Sequence, residues 1–459
     1  MKRITTPAKA MTLAFSLLCS GEIPARAAES ADPFLPAHKL VAKTYNSGFP
    51  EGHDTYNSMG TGSDGRIYYV LSAEPYDIGA KVFVFDPATQ KITRLGDLTE
   101  ICGEKDAKTI VQGKSHVNFV ESDGKLYFAT HIGFYSNVDG METMGIPPAG
   151  WKKYPGGHLL AYDMKANKFE DFGIAPQGEG VLTFNMDTRR GRGFGMTWPY
   201  GQFFRFDYAT KNLKNFGKTC ADGEGAKGAN YRTVCRSIAV DPEDGSAYYS
   251  TSEGNIFRYR ADTDSVEKIE GEDLRKDYFG LYDPTSPGHM GYNWRMTFYR
   301  PADKMIYGVH GNSGYLFRFD PRLKRIEVLD RITSDVSKRS GMFDQFSYGY
   351  LGFALGPDGD TIHYLTGGPI YIDGKRVKGK DSIAMGAAKG LENLHLVTYH
   401  IPTGRCTDHG AIFYPDGQRP LYINSIAVGK DGSVYSLGRI TENGKTRADL
   451  FCVEGPFRP

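Results

Sequence analysis

The 459-residue chain balances 55 basic against 54 acidic side chains, and 13% of its residues are aromatic. So even a charge removes any global electrostatic case for nucleic acid or an anionic membrane surface as a partner. With 56 glycines among them, the aromatics point to a soluble, turn-rich chain built from strands.

In chain order the first element is an export signal. Lys2, Arg3 and Lys9 surround the start of a short apolar run, Met11–Cys19, and Ala25-Arg26-Ala27 then supplies small residues for cleavage after Ala27. The expected domains are therefore a signal peptide, residues 1–27, and one mature domain, residues 28–459, in the periplasm or outside the cell. Leu17 and Leu18 stand before Cys19 where a lipoprotein would want small residues. No segment approaches the roughly 20 apolar residues of a membrane span. Loss of four basic residues and Glu22 with the signal takes the formal charge from +1 to −2.

Five cysteines remain in the mature chain: Cys102, Cys220, Cys235, Cys406 and Cys452. An oxidising compartment permits disulfides, and an odd count leaves a thiol over. Cys220 and Cys235 flank a glycine-rich loop and form the expected pair. There is no CxxC, and the cysteines carry no metal signature.

Beyond the signal, one pattern of period two returns along the chain. An apolar strand meets a Gly/Asp turn, a second strand rich in Tyr and Phe follows, then an aromatic-x-aromatic-Asp strand, then a polar one. The second strands read Arg66–Ser72, Lys125–His131, Arg192–Trp198, Ser246–Ser252, Lys304–His310, Thr361–Gly367 and Ser433–Arg439. Third strands include Val82–Asp86, Leu159–Asp163, Phe203–Asp207, Ile256–Tyr259 and Leu316–Asp320. Seven units of roughly 40–60 residues, each a four-stranded meander, predict an all-β seven-bladed β-propeller. Two packed β-domains are the alternative, but no linker-like stretch interrupts the repeats. The last unit lacks a fourth strand, and His38–Asn46 lies unused at the other end, so the N-terminal segment is expected to close the ring and cover a sheet edge. Long insertions, Tyr135–Gly157 in the second unit and Tyr371–Glu392 in the sixth, are expected to be functional or disordered.

In such a blade the innermost strand starts on the face where the second strand ends, so both points border one mouth of the central channel. The strand starts align as Asn57, His116, Leu182, Arg236, Arg295, Leu351 and Asn424. The strand ends align as Ser72, His131, Trp198, Ser252, His310, Gly367 and Arg439. Tyr200, Tyr292 and Tyr350 lie close by in sequence. Arginines suit carboxylates or phosphates, aromatic faces suit sugar rings, and His and Tyr transfer protons. Any one of these residues alone is more ordinary: a single strand-end histidine is more often structural, and a buried arginine is often paired. No HExxH, GxSxG, P-loop or dinucleotide fingerprint is present.

The stretch His116–His131, HVNFVESDGKLYFATH, resembles the secreted seven-bladed propeller polysaccharide lyases that act on ulvan or on rhamnose–glucuronate chains. That resemblance implies a two-histidine hairpin, here His116 and His131 at a shorter spacing, with a tyrosine and an arginine from following blades. Tyr200 and Arg236 are the candidates by type and neighbourhood. It implies β-elimination on an acidic polysaccharide or oligosaccharide, with Arg295, His310, Trp198, Tyr292 and Arg439 as substrate-binding residues. The sequence requires no cofactor and leaves a structural or catalytic divalent metal open. The competing readings are a metal-dependent propeller hydrolase or lactonase, with Asn57 and Asn424 available but acidic ligands not evident, and a non-catalytic glycan- or protein-binding propeller.

Overall fold

The computed structural model describes residues 39–277, 280–287, 290–335, 352–369, 371–372, 375–376 and 392–458. The expected signal peptide, and Leu351 and Tyr350 at the expected mouth, lie outside them.

Seven antiparallel blades of four strands follow one another along the chain. Blade 3 is representative, running Gly180–Asp187, Arg192–Trp198, Gln202–Asp207 and Asn212–Lys218. Among the described residues helix is confined to single turns, such as Leu98–Ile101. The aromatic-x-aromatic-Asp motif has a local cause. Its apolar side chains alternate into the gaps between blades, and its aspartate folds back on the next turn: Asp86 accepts from Ala88 N, Asp163 from Ala166 N, and Asp320 from Arg322 N. The fourth strands share a further device. Asp171, Asn215 and Asp408 each accept from the glycine two residues on, and the ladder slips by one residue there. Gly173, Gly217 and Gly410 take positive φ at these bulges, which bend the outer strand.

The N-terminal segment closes the ring as expected. Lys43–Thr44 pairs antiparallel with Lys445–Val453 as the fourth strand of blade 7. Just before it, Lys39–Val41 pairs in parallel with Arg405–Phe413 of blade 6. One short segment thus ties two blades together and covers both edges. Packing between blades is aromatic. Tyr68, Val70 and Val82 of blade 1 share a buried cluster with Leu126, Phe128 and Leu160 of blade 2, at about 1.5–3 kcal/mol for each large side chain removed from water.

The second-unit insertion opens as a hairpin, Tyr135–Val138 with Met141–Met144, and its return packs Trp151 edge-on against Tyr76. Of the sixth-unit insertion, Tyr371–Ile372 pairs with Lys375–Arg376, and most of the remainder lies outside the described residues. The expected Cys220–Cys235 bridge is not formed; Cys102, Cys220, Cys235, Cys406 and Cys452 are all free thiols. Cys235 Sγ turns to Ser237 O, while Cys220 Sγ lies 3.7 Å from the Thr219 hydroxyl.

Candidate functional site

A cavity of about 340 Å³ opens against one sector of the ring. Its walls come from blades 7, 1, 2, 3 and 4, and short bridges beyond the ladders aim the side chains. Lys114 and His131 exchange both backbone hydrogen bonds. Directly opposed residues in such a bridge point to the same face, so both side chains enter the cavity. Leu421 and Arg439 form an antiparallel bridge in blade 7 through Arg439 N on Leu421 O, and His53 and Ser72 form one in blade 1 through His53 N on Ser72 O. Gly180 makes room for the histidine, because a Cβ there would lie 2.9 Å from the His131 ring.

Two histidines form the centre. The rings of His116 and His131 lie 5.5 Å apart, and Tyr56 stacks on His116 at 4.7 Å and 14°. His116 Nδ1 is 2.9 Å from Leu182 O, and His131 Nδ1 is 2.8 Å from Ile132 O. A carbonyl only accepts, so both Nδ1 atoms carry the proton and both Nε2 atoms keep a lone pair. His131 Nε2 is buried with no hydrogen-bond partner among the described residues. Burial pushes the His131 imidazole down to about 3, with Lys114 and Arg236 adding to the effect against the Ile132 hydrogen bond. Burial, then His131 and Arg236, hold His116 well below its ordinary value. Both rings are neutral bases at physiological pH.

Around them stand cations matched to carboxylates. Arg236 meets Glu224 at 2.6 Å and also donates to Val234 O. Glu224 in turn accepts from Trp198 Nε1 at 3.0 Å and from Val234 N at 2.9 Å. Arg439 Nε donates to Asp54 at 2.8 Å and lies over the Tyr422 ring. His53 Nδ1 is 2.9 Å from Glu74. From the hairpin, Tyr135, Met141 and Glu142 complete the wall, and burial raises the Glu142 carboxyl despite Lys114.

Five of the nine sequence candidates, His116, His131, Trp198, Arg236 and Arg439, line this cavity. The other four do not. Tyr200 sits on a hairpin turn, 38% exposed, with Lys218 over its ring and its backbone N–H donated to Glu179. Tyr292 packs edge-on against Tyr282 and accepts from its backbone N–H. His310 bonds Ser313 Oγ at 2.8 Å, and burial pushes it to about 3. Arg295 is wholly buried behind the wall, where its charge helps to depress His116. Blade 5 thus contributes to the surroundings of the cavity and not to its lining.

Sequence reasoning passed over Tyr56, Lys114, Glu142 and Glu224, all outside the aligned strand ends. It also found no acidic residues for the mouth, whereas Asp54, Glu74, Glu142 and Glu224 all line the cavity. The metal signature missing from the cysteines is supplied by folding: ligand atoms of Cys102, His158 and Asp171 lie within 4.8 Å of one another. That cluster is already knit together, with His158 Nδ1 on Asp171 and Nε2 on Glu104, both at 2.9 Å. His395 and Asp408 repeat the pair in blade 6 at the same 13-residue separation without a cysteine. The pairing is therefore a strut between the third and fourth strands.

No protein-family model and no curated relative matches the chain. Among solved structures it is similar to the extracellular domain of a putative one-component system from B. thetaiotaomicron, at 13% identity and TM-score 0.47, covering 90% of this chain and 40% of that one. It is also similar to an oligogalacturonate lyase in complex with manganese, at 11% identity and TM-score 0.46, covering 90% and 96%. Likeness to a chain of the mitotic checkpoint complex is of the same order, at 10% identity and TM-score 0.47. The chain spans less than half of the first of these proteins. Propellers of unrelated activity score alike, so the reading of the site rests on its own geometry.

Proposed function

We propose that this cavity binds an acidic sugar unit of a polysaccharide and cleaves the chain by β-elimination, and that the protein is exported to do so. The observation that carries the reading is the pair of buried, neutral histidines whose Nε2 lone pairs are fixed by backbone carbonyls. The proton α to a uronate carboxylate at C5 is weakly acidic, and a nearby cation must offset charge as the carbanion develops. Lys114 and Arg236 supply that field.

In the proposed reaction His116 Nε2 takes the C5 proton, the C5 electron pair forms the C4–C5 double bond, and the C4–O bond breaks. Tyr56, stacked on His116, gives its proton to the leaving oxygen and regains one from His116. It stands in place of Tyr200, the candidate tyrosine of the sequence, which lies outside the cavity. His131, Trp198 and Arg439 shape the wall, and Arg295 and His310 act from behind it. Aromatic faces of Tyr135, Trp198 and Tyr422 suit the flat side of a sugar ring.

Mass analysis of the products tests this, because elimination yields a new non-reducing end lighter by one water than hydrolysis does. One observation favours a second reading, a non-catalytic glycan-binding propeller: Arg236 and Arg439 both already hold carboxylates. That protein would bind the same oligosaccharide and return it intact.

A further inference from the structure

The cations of the cavity are unequal. Arg236 is engaged by Glu224 and Val234 O, and Arg439 by Asp54. Lys114 differs from both. It is only 3% exposed, yet no carboxylate of the described residues lies within 4 Å of its ammonium. Its one side-chain hydrogen bond among the described residues goes to Tyr135 Oη, at 3.4 Å. The ammonium lies between two aromatic faces, 5.2 Å from the centre of the Tyr56 ring and 4.8 Å from that of Tyr135. An ammonium has three protons to donate, and a buried charge without a matching anion is costly. The bridge to His131 turns Lys114 into the same space as the paired histidines.

We propose that Lys114 is the group that grips the carboxylate of the bound sugar, held in place by Tyr135, whose Oη accepts from the ammonium and gives its own proton to Ile132 O at 2.9 Å. The inference rests on the lyase reading and names its specificity determinant. A carboxylate on Lys114 lies beside Tyr56 and His116, which sets the C5–H bond of the same sugar against the base. It also explains why the hairpin starts where it does: Tyr135 opens the insertion and holds one side of the ammonium. Glu142 also faces this space and shares the field of Lys114, so an incoming carboxylate is favoured when Glu142 is protonated or turned away. The other charged groups facing the cavity, Asp54, Glu74 and Glu224, each have a partner of their own.

The test uses the whole chain, a rhamnose–glucuronate oligosaccharide, and the same oligosaccharide with its carboxyls reduced to alcohols. Calorimetric binding and product formation are measured for the wild type, Lys114→Met, Lys114→Arg and Tyr135→Phe. Methionine keeps the length of the side chain and removes a buried charge, so Lys114→Met should fold with a melting temperature equal to or above the wild type. Binding of the acidic sugar should fall about 10- to 100-fold in Lys114→Met, as expected for a lost charge-assisted hydrogen bond. Affinity for the reduced sugar should be unchanged, and Lys114→Arg should recover part of the loss. A Lys114→Met protein that still prefers the acidic sugar and still makes unsaturated product overturns the role of Lys114 while leaving the lyase reading intact. A wild-type protein with no preference for the acidic sugar and no unsaturated product overturns both. If Lys114→Met does not fold, Tyr135→Phe decides: an unaltered preference for the acidic sugar counts against the clamp, and a partial loss supports it.

Discussion

His116 and His131 face one another at 5.5 Å with matched tautomers, each giving its Nδ1 proton to a main-chain carbonyl, of Leu182 and of Ile132. Side-chain partners could move or titrate; backbone carbonyls of a blade cannot. The arrangement fixes the orientation of two rings that both line one cavity.

Replacing His116 with alanine should lower the rate of product formation about 10²–10⁴-fold, the usual range for a lost general base, with little change in the affinity for the acidic oligosaccharide. His131→Ala should also reduce turnover, through the loss of the ring that packs between His116 and Trp198. Steady-state kinetics beside calorimetric binding separates the two parameters.

Acid should leave the bases intact while it weakens the fold. His131 and His310 hold folded values near 3, below the roughly 6.5 of an unfolded histidine. Between those values the unfolded chain binds protons that the native chain refuses, so stability is present above about pH 6.5 and lost as pH falls towards 3. Each such group contributes a slope of ~1.4 kcal/mol per pH unit. Denaturant melts of the wild type and His310→Gln from pH 7 to 4 should converge as pH falls.

His158 has the opposite sign. Burial pushes its imidazole down, but the hydrogen bonds it makes to Asp171, Cys102 and Glu104 hold it well above the ordinary range. Its contribution is therefore fully present below about pH 6.5 and is lost as pH rises towards the folded value. The stability difference between the wild type and His158→Gln should shrink from pH 6 to pH 9 in the same melts.

Glu224 joins three elements, through Arg236, Trp198 Nε1 and Val234 N. Its side chain is 10% exposed, so Glu224→Ala strands a buried guanidinium and should cost about 3–5 kcal/mol. Glu224→Gln keeps the shape and should cost less. Denaturation followed by tryptophan fluorescence reads both the stability and the freed Trp198 indole.

The blades were legible because their signals are local. Asp86, Asp163 and Asp320 mark a turn whatever the remainder of the chain does, and alternating aromatics need only a pleated strand. Ring closure by Lys43–Thr44 followed from counting strands, since blade 7 lacked one. The cavity was harder to read. His116, His131, Trp198, Arg236 and Arg439 sit where strands begin or end, so aligning the repeat brought them together. Lys114, Tyr56 and Glu224 stand on segments whose direction depends on bridges and ion pairs beyond the strand ladders, which no period records. Tyr200 misled because two residues past Trp198 the chain has already turned outward. Cys220 and Cys235 misled because flanking one loop does not oblige two thiols to meet; their sulfurs turn to Thr219 and Ser237.

The most direct test follows the ultraviolet absorbance of the conjugated unsaturated uronate while the purified protein is incubated with uronate-containing polysaccharides. The account predicts a rise on at least one substrate, abolished in His116→Ala with the fold retained. A wild-type protein that binds such a chain and leaves the absorbance flat, or a His116→Ala protein that raises it as fast as the wild type, would contradict it.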